Sequence, residues 1–411
     1  METVLFKNAW IVDGTSPEKV GPLDVLVEGG IIRERGANLS VDAAEVIDLK
    51  GRTIMPGLID CHVHVVAALA DLGRNAFLPD ALVTARSLVI MRDMLMRGFT
   101  TVRDVGGADP GLIQVTREGV FPTPRVFTSG KALSQTGGHC DFRGRYSNDP
   151  LPPGRIPLGA IGRICDGVQA VRIASREEIK GGADFIKIMA NGGCASPTDP
   201  IHFLGFSREE LLAIVEEAEK AGTYVSAHLY TPEAIRRCVE CGVHSLEHCN
   251  LIDKEAAEFA AAAAAIAVPT LVTYDKLAGE GVGKGFPADS LAKVEHVRKA
   301  GLQSLEIMRD AGLTMAYGSD LLGDMHVHQS EEFLVRGRVL TAQEVIASAT
   351  VNAAKLLRME GRIGCVEANA FADLIVVEGD PLKDLALLTR QGKHIPIIMK
   401  DGRFVKRQPL S

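Results

Sequence analysis

The sequence has no surplus of basic residues. Its 45 lysines and arginines are outnumbered by 52 aspartates and glutamates, leaving a net charge of −7. A nucleic-acid or anionic-membrane partner is therefore not expected, because nothing is in excess to neutralise phosphates. No apolar run is long enough to span a bilayer. The opening run Met1-Glu2-Thr3-Val4-Leu5-Phe6 is acidic and lacks the charged-then-apolar layout of a secretion signal, so the expected location is the cytoplasm. A disulfide framework is missing too: the eight cysteines are scattered, which suits reduced, buried thiols. Cys238-Val239-Glu240-Cys241 has zinc-ribbon or redox spacing, but no second pair follows and it falls in a helix-like stretch, Thr231 to Cys241.

What is present is an ordinary globular composition, 46% hydrophobic and 24% charged, over 411 residues. That length suits a large α/β barrel plus a satellite domain. The stretches Thr3 to Val12, Asp24 to Arg33 and Glu45 to Leu49 read as strands punctuated by Asp13-Gly14 and Gly29-Gly30. Ala372 to Val377 is another strand, and Ile395 to Lys400 with Arg403 to Lys406 reads as a hairpin across Asp401-Gly402. The two ends are expected to pair into one small β-sandwich domain, residues 1–55 with 361–411.

Between them, residues 56–360 repeat strand, loop and helix, the pattern of a parallel sheet with crossover helices. Eight strands are expected: Gly57–His64, Thr100–Val105, Arg125–Gly130, Asp184–Met189, Tyr224–His228, His244–His248, Ala267–Val272 and Leu313–Gly318. Helices are expected over Ser207 to Ala221, which opens on a Ser cap, and over Asp253 to Ala265 and Ser290 to Ala311. Eight parallel strands with helices make a TIM-like (β/α)8 barrel, whose reactive groups collect at the C-terminal strand ends.

Those ends carry the chemistry. His62 and His64 lie two apart in the first strand, so their imidazoles share a side, with Cys61 and Val63 on the other. His228 and His248 close two later strands, and Asp320 follows the last. Neutral nitrogen donors with one carboxylate are a divalent-metal donor set. Asp320 could instead cap the element after it. Lys187 sits in Phe185-Ile186-Lys187-Ile188-Met189, a strand apolar on both sides, where an ammonium is poorly solvated. It either pairs with a carboxylate or a substrate anion, or has a lowered pKa and reacts with carbon dioxide to give a carbamate able to bridge two metals. His62 and His64 would then hold one ion, and His228 and His248 the other.

His-x-His, Lys, His, His and Asp in this order resemble the amidohydrolase superfamily over nearly the whole chain. Thr136-Gly137-Gly138-His139, Ile186 to Gly193, Ser196-Pro197-Thr198-Asp199-Pro200 and Ala227-His228-Leu229-Tyr230 are most similar to its prolidase-like metallopeptidases and ochratoxin A hydrolases. Cys140 departs from that pattern, where a small residue such as glycine is expected.

The resemblance implies two divalent ions, zinc before manganese or cobalt, bridged by N6-carboxylated Lys187 and a shared hydroxide. It implies Asp320 as proton carrier to the leaving amine, His139 and Tyr230 at the substrate carbonyl or its oxyanion, and a homo-oligomer. Tyr230 serves equally as a structural hydrogen bond. The implied substrate is a small molecule or dipeptide, such as an N-acyl amino acid or ochratoxin A split into ochratoxin alpha and phenylalanine. The bridging lysine argues against single-metal deamination. Cyclic amides, lactones and phosphotriesters stay open, as does a non-catalytic scaffold. His326 and His328, after the last strand, are candidates for a substrate carboxylate or for a solvated loop. His202, His244, His296 and His394 read as structural.

Overall fold

The computed structural model describes residues 3–42, 44–144, 146–148, 156–196 and 198–410. Met1 and Glu2 of the N-terminal run and Pro197 of the Ser196–Pro200 stretch lie outside them.

Eight strand positions form the barrel. They are Leu58–Val63, Phe99–Asp104, a bent third strand made of Arg125–Thr128 and Ala132–Ser134, then Ile186–Met189, Val225–Leu229, Ser245–His248, Ile266–Val268 and Thr314–Met315. Neighbouring strands pair in parallel. Backbone bonds close the ring: Cys61 N donates to Tyr317 O at 2.7 Å, and Asp184 N to Thr128 O at 2.7 Å. All eight expected strands are there, with two differences. Gly162–Ile164 adds a short parallel strand beside Ala132–Ser134. The strand expected over Ala267–Val272 stops at Val268, because Pro269 has no N–H for a ladder, and Val272 opens a helix instead.

The helices begin where their capping residues place them. Ser207 and Glu210 form a reciprocal capping box on Arg208–Lys220. Thr231 caps Pro232–Glu240 with proline in the first turn, and Asp253 caps Lys254–Ala262. Cys238 and Cys241 are buried free thiols at the end of the Pro232–Glu240 helix. Among the described residues no helix is long and apolar enough to cross a membrane.

The terminal strands form one eight-stranded sheet. Val4 and Phe6, Val25 and Val27, and Leu374 and Val376 each lie two apart and bury the same face in one apolar cluster, as strand alternation requires. Thr53–Pro56 pairs antiparallel with Leu374–Val377 and runs straight into the first barrel strand through Gly57, whose N–H donates to Asp373 O. The sheet therefore anchors the strand that carries His62 and His64.

Candidate active site

His62, His64, His139, Lys187, His228, Tyr230, His248 and Asp320 all line one cavity. Every residue placed at the site from sequence is thus brought together. The walls between them are largely apolar, with Leu72, Ile161, Met189, Leu277 and Leu322 prominent.

Three of these side chains meet most closely. Ligand atoms of His62, His248 and Asp320 lie within 4.8 Å of one another. Asp320 Oδ1 is 3.4 Å from Nε2 of both His62 and His64, and Oδ2 is 3.9 Å from His248 Nδ1. Asp320 caps no helix; its backbone N–H donates to His62 O at 2.9 Å. Burial would raise its pKa, but His62, with His248 and His64, together more than offset this, so it stays an anion.

The ring orientations are fixed from behind. His64 Nδ1 donates to the Gly106 carbonyl at 2.9 Å. His62 Nδ1 donates to Glu247 Oε2 at 2.8 Å. Carbonyl and carboxylate oxygens only accept, so a proton sits on Nδ1 of each ring and both Nε2 atoms are turned toward Asp320. Glu247 is fully buried and also accepts from Arg103 Nη2 at 2.7 Å, Ser226 Oγ at 2.7 Å and Ser245 Oγ at 2.5 Å. Burial opposes its ionisation, but the Arg103 guanidinium holds it well below the usual carboxylate range.

His248 Nδ1 lies 2.8 Å from Thr270 Oγ1 and 3.2 Å from the Tyr274 hydroxyl, and His228 Nε2 lies 3.3 Å from the Gly192 carbonyl. His248 and Asp320 both have left-handed backbones, φ 68° and 51°. Strand alternation breaks there, which lets the neighbours Glu247 and His248 both serve the site. Cys61 and Val63 both lie off the cavity that His62 and His64 line, but in different clusters. Cys61 joins the cluster with Ile59, Val105, Phe185 and Val268, and the ladder shifts register between Asp60 and Val63. Val63, past that irregularity, packs in the main core cluster instead.

Lys187 is the group most at odds with its surroundings. It is 1% exposed, and among the described residues its Nζ has no hydrogen-bond partner. Burial pushes its pKa down to about 8, Glu247 pulls the other way, and Arg103 reinforces burial. No carboxylate among the described residues pairs with it. An amine that can shed its proton and accept a carboxyl group fits this pocket, and so does a divalent cation among the four imidazoles and Asp320.

Tyr230 donates to or accepts from the Tyr274 hydroxyl at 2.7 Å. Tyr274, Thr270, Glu247 and Arg103 were not singled out in the sequence; a carboxylate next to His248 in one strand was the available signal. His326 and His328 do not line the cavity. His326 bonds the Ala67 carbonyl at 3.1 Å, and His328 lies 2.6 Å from both Glu280 and Glu331. At Cys140, the loop keeps its shape because residue 162 is glycine: a Cβ there would sit 2.6 Å from the Cys140 sulfur.

Residues 53–405 match the amidohydrolase family. The chain belongs to that family. As an amidohydrolase it is a hydrolase acting on amide bonds. It is 31% identical over 365 residues to ochratoxinase of Aspergillus niger, covering 86% of this chain and 75% of that one. A solved amidohydrolase structure is 51% identical, with a TM-score of 0.97 and 99% of each chain covered. A prolidase crystallised with N-methylphosphonate-L-proline is 48% identical, with a TM-score of 0.96, covering 99% of this amidohydrolase and 100% of that chain.

Proposed function

We propose that this amidohydrolase uses two divalent metal ions, zinc in the first instance, to hydrolyse the amide bond of a dipeptide or N-acyl amino acid. The observation that carries the reading is the buried, unbonded Lys187 Nζ in a cavity ringed by two histidine pairs and Asp320. His62 and His64 would hold one ion, His228 and His248 the other, and carboxylated Lys187 would join them, with Asp320 as a further ligand. When bound, such ions acidify water and polarise the scissile carbonyl.

The chain's own groups do the rest. Asp320 takes up the proton released as water attacks and returns it to the leaving amine nitrogen. An amide departs poorly without that proton. His139 and Tyr230 face the carbonyl and stabilise its developing negative charge. The apolar walls at Leu72, Ile161, Met189, Leu277 and Leu322 favour an apolar acyl or amino-acid side chain.

Proline amides come first among substrates, supported by the 48% identical relative whose structure holds a phosphonate of L-proline. Ochratoxin A, an amide of phenylalanine, comes second, supported by the ochratoxinase relative. The test is a rate profile of metal-reconstituted protein on Xaa-Pro dipeptides, N-acyl amino acids, ochratoxin A, a lactone and a phosphotriester. Amides should be preferred. A lactone or phosphotriester turned over faster than every amide would replace the reading with another hydrolase activity of the same site.

A further inference from the structure

Two of the groups that hold His139, Ser196 and Asp199, reach neither the cavity nor a metal ligand. His139 Nδ1 lies 2.8 Å from Ser196 Oγ and 3.3 Å from Asp199 Oδ2. Ser196 Oγ donates to Asp199 Oδ1, and the Gly193 N–H donates to Oδ2 at 2.8 Å. Ser196 and Asp199 are both buried. Burial alone would raise the Asp199 pKa, but the hydrogen bonds from His139 and Ser196 and the nearby Lys293 charge keep it low. Asp199 is therefore an acceptor only, and the chain of bonds has one direction. Ser196 gives its proton to Asp199, so its free lone pair takes the proton on His139 Nδ1. Nε2, on the opposite side of the ring, is left for the cavity.

The ring is also clamped by packing. It stacks on His228 at a centroid distance of 4.2 Å and an interplanar angle of 20°. Residue 193 must be glycine, since a Cβ there would fall 1.8 Å from His139 Cε1. From outside, Lys293 Nζ donates to Gly193 O at 2.7 Å, Ser196 O at 2.8 Å and Asp199 O at 3.4 Å. Lys293 lies in the first turn of Leu291–Asp310, where a cation opposes the helix dipole. Its position is better explained by the three carbonyls it gathers than by its helix.

We propose that Asp199 is a positioning residue for the reaction: acting through Ser196, it fixes the His139 ring with Nδ1 protonated and Nε2 presented to the substrate. Lys293 holds the clamp shut. This rests on the amide-hydrolase reading above, although Asp199 itself touches no substrate.

A double-mutant cycle tests it. Asp199→Ala should lower kcat/KM on an N-acyl-proline about 10- to 100-fold, mostly in kcat, with metal content unchanged. In a His139→Ala background the same change should cost less than about 2-fold, since the group it positions is gone. Ser196→Ala should lose less than Asp199→Ala, because Asp199 Oδ2 still reaches Nδ1 directly, and it carries the same cycle if Asp199→Ala does not fold. Equal losses in both backgrounds, or loss of metal with Asp199→Ala, would overturn the proposal. A second readout needs no turnover. The ¹⁵N-imidazole resonance of His139, assigned by its absence in His139→Ala, should report an Nδ1–H tautomer that Asp199→Ala shifts toward Nε2–H. An inactive wild type with that tautomer intact would reject the amide-hydrolase reading and keep the positioning role. An unchanged tautomer would reject the positioning role alone.

Discussion

Glu247 Oε2 accepts the Nδ1 proton of His62 at 2.8 Å, across 185 residues of sequence. That one bond fixes the tautomer of His62, and Arg103 neutralises the buried acid behind it. Replacing Glu247 by Gln keeps a possible acceptor for His62 but leaves the Arg103 guanidinium buried without its counter-charge. Divalent-ion affinity, measured by competition with a chelating dye, should fall about 10- to 100-fold. Affinity unchanged from wild type would mean that His62 needs no orienting group.

Lys187 gives a pH-dependent expectation. Its pKa of about 8 means that the neutral, carbon-dioxide-reactive amine grows in as pH rises through 8. Reconstitution of metal-stripped protein with zinc at fixed dissolved carbon dioxide should therefore speed up across that range. With ¹³C-labelled bicarbonate, a carbamate carbon signal should appear in wild type and be absent from Lys187→Ala. The variant should also bind less than one ion per chain.

Asp320→Asn should separate amides from better leaving groups. On an N-acyl amino acid, loss of the proton carrier should lower kcat about 10²- to 10⁴-fold. An activated aryl ester, whose leaving group needs no proton, should suffer much less. Equal losses on the two substrates would assign Asp320 a purely structural or ligand role.

Glu332 supports the site from below, accepting the Leu271 and Val272 N–H bonds at the start of the helix that carries Tyr274. Burial pushes its pKa up from 4.5 to about 7, against the pull of Arg336. Between those values the folded protein keeps a proton that the unfolded chain has released. The Glu332 contribution to stability is then fully present below about pH 4.5 and is lost as pH rises to about 7. Thermal melts of wild type and Glu332→Gln across this window should show a flatter profile in the variant. Parallel profiles would mean that the carboxyl titrates normally.

The barrel was legible because three of its expected strands end in histidine and several are followed by helices with explicit caps, such as Ser207 and Thr231. His62 and His64 obeyed the period of two. Other features depend on tertiary context. Glu247 and His248 are sequence neighbours, yet His248 lines the cavity while Glu247 reaches His62 from behind it, with a left-handed backbone at His248. Tyr274 was hidden because the strand expected to run through Val272 stops before Pro269. The roles of Ser196 and Asp199 were invisible because they act on His139, which belongs to a different strand-end loop.

The central claim is that this cavity hydrolyses amides and needs its metal-site residues to do so. The most direct measurement is release of free L-amino acid from N-acetyl-L-proline and related N-acyl amino acids, by protein stripped of metal and then reloaded with zinc. Release should be absent in the stripped protein, return on reloading, and fail to return in Lys187→Ala. Metal-replete wild type that releases no amino acid from any amide, or Lys187→Ala that releases it as fast as wild type, would contradict the claim.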